Sequence, residues 1–322
     1  MRRIVCIGDL CADLIIPYGE AKKNISAIKE GNIKSQSVTL RSGGTVGNTS
    51  MVLGKLGADP VFITDLCEDS LGKFLRAEME ACGVDMSYAP LGEYGAMVCI
   101  AVLDETGDRT MFSWVPPGSR YPTFTEESFS ERLFSMDTLL FTGGMVLNND
   151  PASMEAVYQF IKKMKEMTDS LFVFDLNTRI ESYGLDEKRR YYYDRFIELS
   201  DVVMGSGMEE FGPIAGGEDL RDCAEKLALG WKDEKKAGTR RTVIARNGSG
   251  EVIIAEGGEI SSVPVTPVRV VSTVGAGDSF DAAFMHAFNK GLPVRDCVEF
   301  ANRIAGHVIS HEGHLDIGED II

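Results

Sequence analysis

Several things are scarce in this sequence, and each scarcity excludes a class of protein. No run of the 322 residues approaches the about 20 consecutive apolar positions a bilayer-spanning helix needs. The N-terminal stretch MRRIVCIGDL places two arginines before only a short strand-like apolar segment, which makes a poor secretory signal. A cytoplasmic chain without membrane contact is therefore expected. Positive charge is also short: 33 Lys and Arg face 49 Asp and Glu, giving a formal net charge of -16. Such a surface repels phosphate backbones, so nucleic acid is not an expected partner. The seven cysteines form no C-x-x-C pair, and an odd number of them fits reduced core thiols rather than a disulfide frame or a structural zinc site. Neither G-x-x-x-x-G-K-[ST] nor a G-x-G-x-x-G after the first strand occurs, which argues against a P-loop NTPase and a dinucleotide-binding domain.

What is present is an alternation of short apolar runs with amphipathic segments. RRIVCIG reads as a buried strand, NTSMVLGKLG as a helix ending at Gly57, PVFITDL as a strand, and DSLGKFLRAEMEACG as a helix stopped at Gly83. The same rhythm resumes in DTLLFTGG, PASMEAVYQFIKKMKEM, LFVFDLN, DVVMG, DLRDCAEKLALG and TVIARNG. Strand and helix in this order predict an α/β fold: one domain over residues 1–322, with a doubly wound, mostly parallel sheet flanked by helices. Two regions break the rhythm. Residues about 14–40 hold a polar insert, and residues about 95–115 read as a hairpin turning near Gly107. Together they predict a small β-sheet lid beside the main sheet.

The most informative stretch is VVSTVGAGDSFDAAFMHAF, Val270 to Phe288. Phe280, Ala283, Phe284, Ala287 and Phe288 recur at helical spacing, so a helix begins close to Gly277 and ends at Gly291. The small residues Gly275, Ala276 and Gly277 thus precede a helix N-terminus, where free backbone N–H groups and the dipole favour an anion. Asp278 falls in the first turn. It serves either as a cap or as a base that takes a proton beside the anion site. His307, His311 and His314 are spaced by four and three, but Gly313 marks a helix end there, so surface positions are expected rather than a metal site.

STVGAGDSFDAAF resembles the C-terminal signature of the ribokinase-like (PfkB) carbohydrate kinases, and SGGTVGNTSMVLGKLGADPVFITDLCEDSLGKFL resembles their N-terminal Gly-Gly signature. GDLCADLI, FDLNTR and EFANRIAG are similar to further family segments, so the resemblance spans nearly the whole chain. It implies an ATP-dependent kinase for a hydroxyl of a small sugar, fructokinase- or ribokinase-like, with Mg²⁺ accompanying ATP and a homodimer formed through the lids. Asp278 would be the catalytic base, and Gly275, Ala276 and Gly277 the anion hole. Asp13, Gly43, Gly44 and Asn48 would form the sugar set, joined by Arg109 and Arg179, whose residue type meets the anionic groups of such substrates. Thr273, Gly248 and Asn302 would lie on the nucleotide side. Glu209 would orient magnesium-bound water, although Ser206 stands where many relatives carry Asn.

Two features refine the expectation. Asp13 in the sugar site would repel a carboxylate, which favours a neutral polyol or ketose. The alternatives are a sugar-acid kinase such as a 2-keto-3-deoxygluconate kinase, which FDLNTR suggests, a nucleoside kinase, or a non-catalytic sugar- or nucleotide-sensing relative. Ser272 replaces the Asp that helps many relatives hold a potassium ion, so weak dependence on a monovalent cation is expected.

Overall fold

Burial in the first strand shows how the sheet is built. In β1 (Arg3–Ile7), Ile4 and Cys6 pack into one apolar layer while Val5 and Ile7 pack into a second. A strand buried on both faces is the mark of a sheet with helices on either side. The computed structural model describes residues 1–17, 38–92, 96–103, 109–115, 122–148, 150–230, 241–311, 315–317 and 321.

Two sheets are formed. In the larger, β4 (Val61–Ile63) flanks β1, followed by β7 (Thr138–Gly143), β8 (Leu171–Asp175), β9 (Val202–Ser206) and β10 (Thr242–Arg246), all parallel. An antiparallel hairpin of β11 (Glu251–Glu256) and β12 (Glu259–Pro264) completes that edge. One face carries α1 (Thr45–Lys55), α2 (Ser70–Ala81), α8 (Ala276–Asn289) and α9 (Val294–Ser310). The other carries α3 (Pro151–Met167), α5 (Glu187–Leu199), α6 (Gly207–Ala215) and α7 (Leu220–Ala228), with the four-residue α4 (Ile180–Tyr183) between α3 and α5 in sequence. The doubly wound arrangement expected from the sequence is present.

The smaller sheet has four strands in the order β3 (Thr39–Gly43), β2 (Cys11–Pro17), β5 (Met97–Leu103), β6 (Arg109–Trp114). β5 and β6 fall within the second interruption of the α/β rhythm, whereas β2 and β3 bracket the polar insert and overlap it only at 14–17 and 39–40. The polar part of the first insert, 18–37, and the hairpin turn near Gly107 lie outside the described residues. Among the described residues no helix is long and apolar enough to cross a membrane. All seven cysteines are free thiols, five of them buried and two half-buried.

Helix boundaries follow the local chemistry. Asp69 caps α2 by accepting from the Gly72 amide at 2.7 Å, and Asp150 caps α3 ahead of Pro151. Gly57 and Gly83 end their helices with φ of 73° and 82°, conformations open to glycine at no steric cost. α8 starts at Ala276, with Gly275 as its N-cap and Gly291 just beyond its end.

Candidate active site

The C-terminal ends of the parallel strands, the start of α8 and one wall of the small sheet enclose a cleft of about 550 Å³. Ligands of open α/β sheets bind at this edge. Its first wall is the α8 N-terminus. Gly275 caps the helix at φ 79° and no side chain caps the helix there. A Cβ at Gly275 would meet only the movable tip of the Leu315 side chain, so it is the left-handed conformation that calls for glycine here.

Asp278, in the first turn of α8, faces the cleft. Asn48, from the middle of α1, donates from Nδ2 to its Oδ2 at 2.7 Å. Burial raises the Asp278 pKa to about 7; the Asn48 hydrogen bond and Arg246 oppose the rise, while the charges of Asp9 and Asp175 add to it. A carboxylate poised near neutrality can take up a proton and release it again. The Oδ1 of Asn48 is buried and has no hydrogen-bond partner among the described residues.

Arg246, at the end of β10, organises the floor. Its guanidinium bonds Asp175 at 2.8 Å and Asp281 of α8, and donates to the carbonyls of Gly205 and Gly277 and to the Ser206 hydroxyl. Burial alone would lower its pKa, but Asp281 and Asp175 more than offset this and lock it charged. One side chain thereby ties three strand ends to the glycine turn at the start of α8. Sequence reasoning missed it; the available signal was a cation ending one parallel strand while an aspartate, Asp175, ended another. Asp9 was missed as well. It accepts from the Thr45 and Val46 amides at 2.8 and 3.3 Å, capping α1 from a distance. Burial raises its pKa.

The small sheet supplies Cys11, Asp13, Met97, Cys99, Met111 and Ser113. Asp13 pairs in register with Arg41 on β3 and with Cys99 on β5. The Arg41 Nε lies 3.9 Å from the Asp13 carboxylate. A hydrogen bond from Cys11 lowers the Cys99 pKa to about 7 against the effect of burial. Gly43 is where it is because a Cβ would meet Asp13 at 2.5 Å, and Gly44 takes φ 95° against the Asp9 carbonyl. Both glycines make room for the carboxylates, and Gly44 also lines the cleft.

Arg179 lines the cleft from the N-cap of α4 in the left-handed region, φ 48°, two residues after Asn177 at φ 32°. Non-glycine residues seldom take such angles, and paired outliers at a cleft mark a backbone held by its surroundings. Asn177 is anchored by donating to the Thr45 hydroxyl at 3.0 Å.

The remaining expected residues fall in different places. Thr273, Gly275, Ala276 and Gly277 line the cleft. Arg109 opens β6, and nothing is described of its side chain. Glu209 is exposed, with its carboxylate close over Gly207, whereas Glu210 is the acidic side chain lining the cleft. Burial raises the Glu210 pKa to about 7, aided by Asp175 and opposed by Arg246. Gly248 sits in the β10–β11 turn at φ 56°, away from the cleft. Asn302 lines a second cavity between α9 and the 263–268 segment, and its buried Nδ2 has no hydrogen-bond partner among the described residues. His307 and His311 stack on each other, and His314 lies outside the described residues.

Comparison with known proteins gives these walls a context. The pattern of the pfkB family carbohydrate kinase matches residues 1–319. The 5-dehydro-2-deoxygluconokinase of Halalkalibacterium halodurans is 25% identical over 305 residues, covering 94% of this chain and 90% of that protein. The enzyme of the same name from Geobacillus kaustophilus is 25% identical over 317 residues, covering 97% and 89%. Among solved structures, a PfkB protein from Polaromonas superposes with a TM-score of 0.79 at 19% identity, covering 96% of each chain. The aminoimidazole riboside kinase of Salmonella enterica gives 0.77 at 20% identity, covering 99% of this chain and 98% of that one.

Proposed function

The chain belongs to the pfkB family of carbohydrate kinases and is a sugar kinase, a phosphotransferase with an alcohol acceptor; from that premise we propose that it phosphorylates a small polyhydroxylated sugar acid from ATP, with Asp278 as the base. The observation that carries the base assignment is the 2.7 Å contact between Asn48 and Asp278, which joins the Gly-Gly helix to the GAGD helix at one point of the cleft. The acceptor hydroxyl gives its proton to Asp278. The amides around Gly275–Gly277 receive the negative charge spread over the transferred group. Asp13 and the free Oδ1 of Asn48 accept hydrogen bonds from the acceptor's other hydroxyls.

The acid character of the acceptor rests on charge. A neutral acceptor was expected because Asp13 would repel a carboxylate, but Arg41 stands across the β2–β3 ladder from it and offsets that charge. Arg179 presents a cation to the same cleft, where its charge also acts on Asp9 and Glu210. The curated relatives named above are kinases of a keto sugar acid, which supports the same reading.

The residues fit ATP. The glycine turn leaves its backbone accessible, and the orphaned Nδ2 of Asn302 offers a donor in the second cavity for the nucleoside end. Gly248, in the β10–β11 turn, is assigned to the same nucleotide side. Glu210, or Glu209 through water, would hold Mg²⁺, which neutralises phosphate charge when bound.

A coupled ADP-release assay over keto sugar acids, ketoses, pentoses and nucleosides tests the acceptor. The expected result is the highest kcat/KM on a sugar acid, with Arg179→Ala raising KM for that acid far more than for a neutral sugar. A neutral sugar or a nucleoside as best substrate would overturn it.

A further inference from the structure

The small sheet gives the cleft a wall of unusual softness for a sugar site: two thiols beside a carboxylate. We infer that Cys11, Cys99 and Asp13 form a binding site for a thiophilic divalent cation of the Zn²⁺ class, with its fourth coordination position open to the cleft. One ligand atom from each of the three residues lies within 4.8 Å of the other two. Zinc holds sulfur at about 2.3 Å and carboxylate oxygen at about 2.0–2.2 Å, so small side-chain rotations close the set around one ion.

The backbone fixes the arrangement. Cys11 and Asp13 stand two apart on β2 and so point to one face, and Cys99 stands opposite Asp13 on β5. Cys11 already donates to Asp13 at 3.4 Å, and Cys99 lies 3.4 Å from the Ser113 hydroxyl. Arg41, 3.9 Å from Asp13, balances the surplus negative charge of two thiolates and a carboxylate around a dication. Both thiols release their protons to solvent when the ion binds.

A disulfide is the competing use of two neighbouring thiols. Cys11 pairs with Met97, and Cys99 lies two residues further along β5. The thiols are thus staggered along parallel strands rather than facing each other, and a disulfide would leave the adjacent Asp13 carboxylate unused. Three ligands with one open position describe an exchangeable site rather than a structural one. Occupancy would take Asp13 from the acceptor, so the ion would compete with it; this consequence, unlike the binding, rests on the role proposed for Asp13.

Binding is tested on the full chain by titration with Co²⁺, read as thiolate-to-cobalt charge-transfer absorption, followed by displacement with Zn²⁺. The expected result is one equivalent bound, with the band abolished in Cys11→Ser and Cys99→Ser and retained in Cys82→Ser, whose thiol lies elsewhere. Absence of the band in the unmodified protein, or its survival in both cleft variants, would overturn the site. In the kinase assay, Zn²⁺ is expected to raise the apparent KM for the acceptor without changing kcat. Cys99→Ser should weaken that inhibition by no less than the about tenfold that loss of even an outer metal partner costs. Cobalt binding without competition would reject the brake on the acceptor while leaving the metal site and the kinase reading intact.

Discussion

At Asp278, burial and two neighbouring carboxylates work against ionisation, and one amide hydrogen bond and one guanidinium work for it. The balance, a pKa of about 7, has two measurable consequences. As a base Asp278 must be deprotonated, so kcat/KM should rise with pH along a limb centred near 7 and level off above it. Because the Asn48 hydrogen bond favours the charged form, Asn48→Ala should move that limb to higher pH; an unmoved limb would detach Asn48 from the base. Asp278→Asn should lower kcat by about 10²–10⁴ with nucleotide binding kept, and near wild-type turnover would leave only the capping role. Stability carries the opposite sign. The folded pKa lies above the ordinary 3.8, so the stability this group contributes is present below that value and lost as pH rises through about 7. Asp278→Asn should therefore be the more stable protein at pH 8 by urea denaturation, with the gap closing toward pH 4.

Individual elements meet at the strand ends, and Arg246 joins them. It is 9% exposed and holds Asp175 of β8 and Asp281 of α8 at once. Removing one partner of a buried ion pair leaves uncompensated charge, so Arg246→Met should cost about 3–5 kcal/mol in urea denaturation. A loss below about 1 kcal/mol would show that the acids relax by protonation. The segment leading into α8 is pinned differently. The Val271 and Ser272 amides both donate to the Ile309 carbonyl, and the Ser272 hydroxyl accepts from the Val274 amide at 3.3 Å. A neutral hydroxyl there gives a hard cation no anionic ligand. Replacing K⁺ by tetramethylammonium at saturating Mg·ATP should change kcat by less than about tenfold, about 1.4 kcal/mol in barrier. Strong potassium activation would show that carbonyl oxygens suffice.

Over the whole molecule, the small sheet faces the cleft with one side and presents apolar residues on the other. Leu40, Leu14, Ile100 and Phe112 align in one row across it, and Leu40 and Phe112 are 45% and 49% exposed. A face of this kind suits the lid-to-lid homodimer that the family resemblance implies, and a sheet closing over the acceptor would keep water from the reacting phosphoryl group. Hydrogen exchange in β2, β5 and β6 should slow when acceptor is added, and sedimentation should give a dimer. Unchanged exchange in all three strands would argue against closure.

The sequence by itself determined the α/β alternation, although α5, α6 and the antiparallel β11–β12 hairpin were not read from it. Period and punctuation are local, so the α/β rhythm, the helix from the GAGD turn to Gly291 and the two interruptions that border or hold the small sheet's strands were all legible from side-chain spacing. The GAGD turn was legible as a helix start, but its reading as an anion hole came from the family resemblance, since glycine and aspartate at a helix start serve equally well as a cap. The tertiary structure decided which distant groups meet. Asn48 and Asp278 are 230 residues apart, Arg246 and Asp175 are 71 apart, and Asp13 finds Arg41 only through strand register. Glu210 rather than Glu209 faces the cleft because the turn of α6 brings the second of two adjacent glutamates inward. Charge balance follows from such meetings. Coulomb energy depends on separation and burial, and neither is written in the spacing of residues along a chain.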